Sequence, residues 1–324
     1  MYQVFALFTV IILTLTPNYS FAAEGSSVAG IAGGSDMRSA LLPPPGVYVA
    51  GIAASGQSED FFDGKGNAVP LLDGLKNSSQ AGAFALLYVP EFKLAGGSFG
   101  LLGTVSRARE CGRLFAWTSS RCTTGWGDPY VEASWSRFYG TIRPSQYAGA
   151  FPIAEGLAVQ FGIGAVIPDG HYNAGNVAKN GIAIGNNVWD IAPMAAFTYT
   201  SPPMLAEATE ISAKLYWNNY RENRDTNYQQ GDLLSIDFAL TERIGLVQFG
   251  VAGLYAEQIE DDEKFGIAVS PDGRRAKGLS LGPVVAIDLP ALAASLKIKL
   301  QKSVIKQNAT DGSAVLVTYG MKIF

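Results

Sequence analysis

The chain has 324 residues, enough for one large domain or two ordinary ones. Its 48% hydrophobic and 16% charged residues, with 37 Gly and 14 Tyr, are too apolar for a disordered chain and too rich in Gly and aromatics for a helix bundle. A net charge of -4 removes the electrostatic footprint of a nucleic-acid binder, and one His with two Cys leaves too few ligands for a structural zinc site, so no nucleic acid, metal or cofactor is expected.

In chain order, the first element is an address. Residues 4–16 form an apolar stretch, and Ser20 and Ala22 supply the small residues that signal peptidase reads, so residues 1–22 are expected to be a signal peptide although Met1-Tyr2-Gln3 lacks Lys and Arg. The stretch is shorter than the ~20 residues that span a bilayer as a helix. Residues 23–45 then carry Asp36 and Arg38 near Leu41 and Leu42 and end in Pro43-Pro44-Pro45, which stiffens the chain into an extended form. This segment is expected to be periplasmic, either entering a lumen as a plug or hanging as a tail.

From there on the apolar residues alternate. Ile211, Ala213, Leu215 and Trp217 interleave with Ser212, Lys214, Tyr216 and Asn218, and the same period of two recurs in 235–241 and 296–301. On a helix, residues two apart fall on opposite faces, so period two means strand. Strands are expected at 46–55, 80–89, 98–107, 130–138, 157–167, 188–199, 210–220, 233–242, 246–258, 277–289, 295–303 and 314–324, about twelve in all. Shorter connections at 90–97, 200–209, 243–245 and 290–294 alternate with more polar ones at 56–79, 108–129, 168–187, 221–232, 259–276 and 304–313; the long link 139–156 on the short side is the exception. Short turns at one end and longer loops at the other are the pattern of an outer-membrane barrel. The expected fold is therefore all-β, an antiparallel transmembrane β-barrel over 46–324, located in the bacterial outer membrane with its lipid and lipopolysaccharide as surroundings.

Aromatics support the lipid-facing phase: Trp135, Trp189, Phe197, Tyr199, Trp217, Phe249, Tyr255 and Tyr319 lie on it, several toward strand ends where membrane girdles sit. The opposite phase supplies the candidate lumen lining: Glu132, Gln160, Asp190, Ser212, Lys214, Tyr216, Asp237, Gln248, Lys297 and Lys299, with Ser235 and Asp288 beside them. Mixed signs suit a mostly neutral path, since an ion-selective pore shows one sign; cross-strand pairing that merely stabilises the interior is the plainer role for most of them. About twelve strands leave a narrow lumen, between the filled interior of eight and the aqueous channel of sixteen.

Six segments in chain order carry a resemblance: Leu42-Pro43-Pro44-Pro45-Gly46-Val47-Tyr48; Gly125-Trp126-Gly127-Asp128-Pro129-Tyr130; 162–173, containing Pro168-Asp169-Gly170-His171-Tyr172-Asn173; Asn186-Asn187-Val188-Trp189; Glu222-Asn223 with Tyr228-Gln229-Gln230-Gly231-Asp232; and Gly282-Pro283. Together they resemble the bacterial outer-membrane proteins named for the meta pathway of phenol degradation. The resemblance covers Leu42 to the C-terminus and implies a transporter; an aromatic cargo is implied by it alone. Phe324 resembles the terminal aromatic read by barrel-assembly machinery, although the phase of Val315, Val317, Tyr319, Met321 and Ile323 is offset from it by one.

Cys111 and Cys122 fall in one expected outer loop, and in an oxidising compartment they are expected to form a disulfide. His171 is the only imidazole, so any nucleophile-plus-His hydrolysis depends on it; a solvated turn is its simpler reading. Glu260-Asp261-Asp262-Glu263 reads as a solvated acidic face or as a cation bridge to lipopolysaccharide. No catalytic set is expected. The sequence points to passive uptake of small hydrophobic or aromatic molecules, with a structural or adhesive barrel, and less a barrel enzyme, as alternatives.

Overall fold

A computed structural model describes residues 28–29, 34–72, 74–175, 177, 181–270 and 272–324. The expected signal peptide lies outside the described residues, as do 23–27 and 30–33 of the segment that follows it.

The period-two segments become twelve strands: β1 (Gly46–Phe62), β2 (Lys76–Val89), β3 (Gly97–Arg113), β4 (Tyr130–Arg143), β5 (Ile153–Val166), β6 (Asp190–Thr200), β7 (Ala208–Tyr220), β8 (Leu233–Ile244), β9 (Val247–Gln258), β10 (Lys277–Leu289), β11 (Ala294–Gln307) and β12 (Ala309–Lys322). Each pairs antiparallel with its sequence neighbours, and β1 pairs with β12 from Tyr48↔Lys322 to Phe62↔Ala309, which closes the sheet. In hydrocarbon only a closed sheet satisfies every backbone group.

One strand shows what the alternation does. On β7, Glu210, Ser212, Lys214, Tyr216, Asn218 and Tyr220 are buried inside the barrel, while Ile211, Leu215 and Trp217 are exposed on its outer face. Across the sheet the exposed large apolar side chains, among them Phe84, Leu101, Phe161, Phe197, Leu240, Phe249 and Val251, form the lipid-facing band. The interior is the polar side, the reverse of a sandwich core.

Several boundaries differ from the sequence expectation, the large differences all by extension. The expected outer loop 304–313 does not exist: β11 and β12 run on to a tight turn at Asn308, which takes a positive φ of 46°. Asn tolerates that left-handed conformation, and polar residues around it let the hairpin stand in water above the band. The long link 139–156 shrinks to 144–152 because β4 continues to Arg143 and β5 begins at Ile153. β3 continues to Arg113, and a short strand Arg121–Trp126 pairs with its upper half, extending the line of β4 after a break. At the short-turn end Glu207 ties three connections together, accepting from Gln146 N at 2.6 Å and Gly245 N at 3.0 Å while Arg143 donates to its carbonyl.

Candidate functional site

All ten sequence-expected lining residues occupy the inward phase: Glu132, Gln160, Asp190, Ser212, Lys214, Tyr216, Asp237, Gln248 and Lys299 are buried, and Lys297 is mostly so. Their partners are not those of adjacent strands in most cases. Lys214 on β7 reaches both carboxylate oxygens of Glu132 on β4 at 2.9 Å, with β5 and β6 between them, so this pair braces the lumen from wall to wall. Tyr130 and Tyr216 also donate to Glu132, at 2.7 and 3.4 Å, and the Lys214 ammonium lies 5.1 Å from the Tyr216 ring centre. Gln160 donates to Ser134 at 2.9 Å.

The others meet residues 34–41, which cross the lumen before β1. Asp36 is fully buried between Lys297 at 2.8 Å and Lys299 at 2.5 Å, and Asp237 accepts from Ser35 N at 3.1 Å and Ser35 Oγ at 2.7 Å. The four formal charges of this group cancel. Arg38 donates to Gln248 at 3.0 Å and to Asp288 at 3.3 Å, and Asp288 also pairs with Arg243 at 2.5 Å. Backbone groups are matched as well: Arg38 N to Glu210 at 2.9 Å, Ser39 N to Ser212 at 2.9 Å, Ala40 N to Thr198 at 3.1 Å, and Ser136 Oγ to Ala40 O at 2.5 Å. Met37 packs on Ala239, Ala252 and Val284, and Ala40 on Ala158 and Ala196. A chain without secondary structure of its own thus has its backbone groups satisfied by the wall, as burial requires.

The opposite wall differs. Inward positions Ala54, Gly56 and Ser58 on β1, Ser79, Ala81 and Ala83 on β2, and Gly312 and Ala314 on β12 are small, uncharged and only partly buried. Residues 34–41 contact β4–β11 and make no hydrogen bond to this strip among the described residues.

Above the sheet the loops are pinned by carboxylates, buried at Asp232 and Asp262 and partly buried at Asp128, that the sequence reading missed. Asp128 accepts from Gly170 N at 2.8 Å and Asn186 N at 2.7 Å, joining two loops. Asp232 accepts from Trp217 at 2.7 Å and Asn219 at 2.8 Å. Asp262 accepts from Gln258 at 2.6 Å, from Gly231 N at 3.0 Å and from Tyr228. Burial pushes the carboxyls of Asp128 and Asp262 up against the opposing pull of these bonds. The run 260–263 is therefore only in part a solvated acidic face: Glu260 and Glu263 are exposed, but Asp262 is fully buried and Asp261 pairs with Arg275 at 2.6 Å. His171 is exposed, its backbone N donating to Trp126 O at 2.7 Å. Cys111 and Cys122 are disulfide-bonded, but Cys111 stands on β3 and Cys122 on the short strand paired with it, not together in a free loop.

With this geometry, a comparison with known families becomes specific. Residues 58–319 match the family described as the MetA pathway of phenol degradation. The chain belongs to that family. The crystal structure of an outer membrane channel from Pseudomonas putida F1 is similar, with a TM-score of 0.71 and 14% identity over 91% of this chain and 100% of that one. The β domain of the Bordetella autotransporter BrkA gives a TM-score of 0.49 and 11% identity over 87% of this chain and 100% of that one. No curated protein matches. A closed barrel with an apolar outer band, in this family, belongs in the bacterial outer membrane. The segments that carried the family resemblance turn out to lie largely in the loop clasps around Asp128, Asp232 and Asp262.

Proposed function

We propose that the protein is an outer-membrane channel for passive uptake of small hydrophobic or aromatic molecules, with residues 23–45 as a plug that follows a cleaved signal peptide. The observation that carries this reading is the division of the inner wall. In the charged half Asp36 neutralises Lys297 and Lys299 and Arg38 meets Asp288, while Lys214 and Glu132 neutralise one another, and the opposite strip of Ala, Gly and Ser offers a neutral solute a path without fixed charge. Ions crossing a constricted, low-dielectric lumen pay for lost hydration, and neutral solutes shed water more easily. The aromatic class of cargo follows the family name alone. Passage of this kind needs no catalytic group. Delivery to the membrane requires barrel-assembly machinery, for which the exposed Phe324 is the candidate signal.

The test is flux. Purified mature protein in liposomes is expected to pass a neutral aromatic faster than empty liposomes, and removal of residues 23–42 to raise that flux. No flux from either form would make the structural-barrel alternative the better account.

A further inference from the structure

The outer surface of the barrel changes character abruptly along β3. Its outward positions Leu101, Gly103 and Val105 are apolar, and the next two are Arg107 and Arg109, both exposed. Arg107 stands ten residues up β3 from Gly97. At ~3.3 Å per residue on a strand tilted ~40°, that climb is about 25 Å, the height of the apolar band. With short turns facing the periplasm, both arginines lie where the headgroups of the outer leaflet begin.

Neither arginine has a carboxylate partner among the described residues. Arg107 lies 5.8 Å from the Trp126 ring centre, and the closest polar contact of Arg109 is Cys122 Sγ at 3.8 Å. Just below them the register sets Gly82 beside Arg107 and Ala53, and Gly51 beside Phe84. Side chains of zero or one carbon there leave a shallow apolar groove between Phe84 and Val317, ending at Arg107 and Trp126. A side chain added at Gly51 or Gly82 would enter open space, so nothing in the fold requires these glycines to be small.

We propose that this patch binds lipid A, the phosphate-bearing glycolipid of the outer leaflet. Its phosphates would sit on Arg107 and Arg109, its sugar against Trp126, and one acyl chain in the Gly51–Gly82 groove. Guanidinium groups match phosphate geometry in a bidentate way and are more weakly hydrated than ammonium, which suits a site at the edge of hydrocarbon. An aromatic ring at the same level is an interfacial anchor. Charge complementarity selects this occupant: a second copy docking on the same face would bring arginines against arginines, while lipid A supplies both the anion and the chain.

The test is binding of purified lipid A to the detergent-solubilised mature protein, followed by native mass spectrometry, with heat-modifiable gel mobility confirming a folded barrel in each variant. Arg107→Gln/Arg109→Gln is expected to weaken binding at least tenfold, and Gly82→Leu several-fold by filling the groove. Dephosphorylated lipid A should bind wild type as weakly as lipid A binds the double variant. A control of equal charge, Lys65→Gln/Lys93→Gln, should bind like wild type. The proposal fails if the double variant binds within twofold of wild type, if the control loses as much, or if the arginine substitutions change a dimer and leave lipid binding untouched. Should the double variant not fold, the Gly82→Leu and dephosphorylated-lipid results decide alone.

Discussion

Two halves of the inner wall use the same strand geometry for opposite ends. Along β6–β9 many of the inward side chains are polar and buried, set among small apolar ones, and several find their partner across space: Asp237 at Ser35, Gln248 at Arg38, Ser212 at Ser39, Thr198 at Ala40. Along β12, β1 and β2 the inward side chains are small and neutral toward the outer end and apolar, with Ile52, Leu87, Val89 and Leu316, toward the other, and among the described residues 34–41 none hydrogen-bonds to them. The buried lysines of the first half are each met by a carboxylate, Lys299 by Asp36 and Lys214 by Glu132, because an unpaired buried charge is costly; the small inward residues of the second half bring no charge to compensate. On the proposed reading, closure of the lumen rests on a few ion pairs on one side, and passage is left to the other.

The largest expected effect comes from breaking that division at Asp36. Asp36→Ala leaves Lys297 and Lys299, fully or mostly buried, without the carboxylate that pairs with both of them. Removing one partner of a buried pair costs about 3–5 kcal/mol. If most of that loss falls on the clasped state, the ratio of closed to open lumen drops by roughly a hundredfold or more. Single-channel recording in a planar bilayer should then show frequent, long openings where wild type shows rare ones. Unchanged conductance, with the barrel folded, would mean that the segment does not gate.

A smaller effect sharpens the other half. Gly56→Leu/Ala81→Leu places two branched side chains on the uncovered strip. A Cβ at Gly56 would meet Ser313 O at 3.4 Å and Ala314 Cβ at 3.6 Å, ordinary contacts, so the barrel should assemble. Flux of a neutral aromatic in the liposome assay should fall several-fold, while the charged cluster around Asp36 keeps its partners. If flux is unaffected, the path does not run along β1, β2 and β12.

What the sequence made legible here was what period two encodes. Twelve strands and the inward phase of Lys214, Asp237 and Lys299 follow from alternation, because a strand has only two faces. Partners did not follow from it. Lys214 meets Glu132 from three strands away, and Asp36 reaches residues more than 260 positions distant, so no local spacing announces either pair. The hairpin at Asn308 was hidden for a related reason: above the membrane both faces are wet, alternation of hydrophobicity stops, and the strands continue without the signal that marks them. The buried carboxylates of the loops were invisible because an Asp in a polar loop looks the same whether it is solvated or accepts three hydrogen bonds.

The smallest effect expected is at the disulfide, and it tests how far the two halves are independent. Cys111–Cys122 joins β3 to the short strand beside it, on the outer edge of the uncovered half and far in sequence from the ion pairs of Asp36. Closing this loop, whose ends are 11 residues apart, removes roughly 3 kcal/mol of chain entropy from the unfolded state, but here the enclosed stretch lies beyond the sheet that closes the barrel. Its loss should therefore be felt locally. Cys111→Ser/Cys122→Ser is expected to let protease cut within 114–120 much faster, with heat-modifiable mobility and neutral-solute flux close to wild type. A large change in flux would instead show that the outer edge of β3 and the uncovered strip move together, and the division between a clasped half and a passive one would have to include the loops as part of the path.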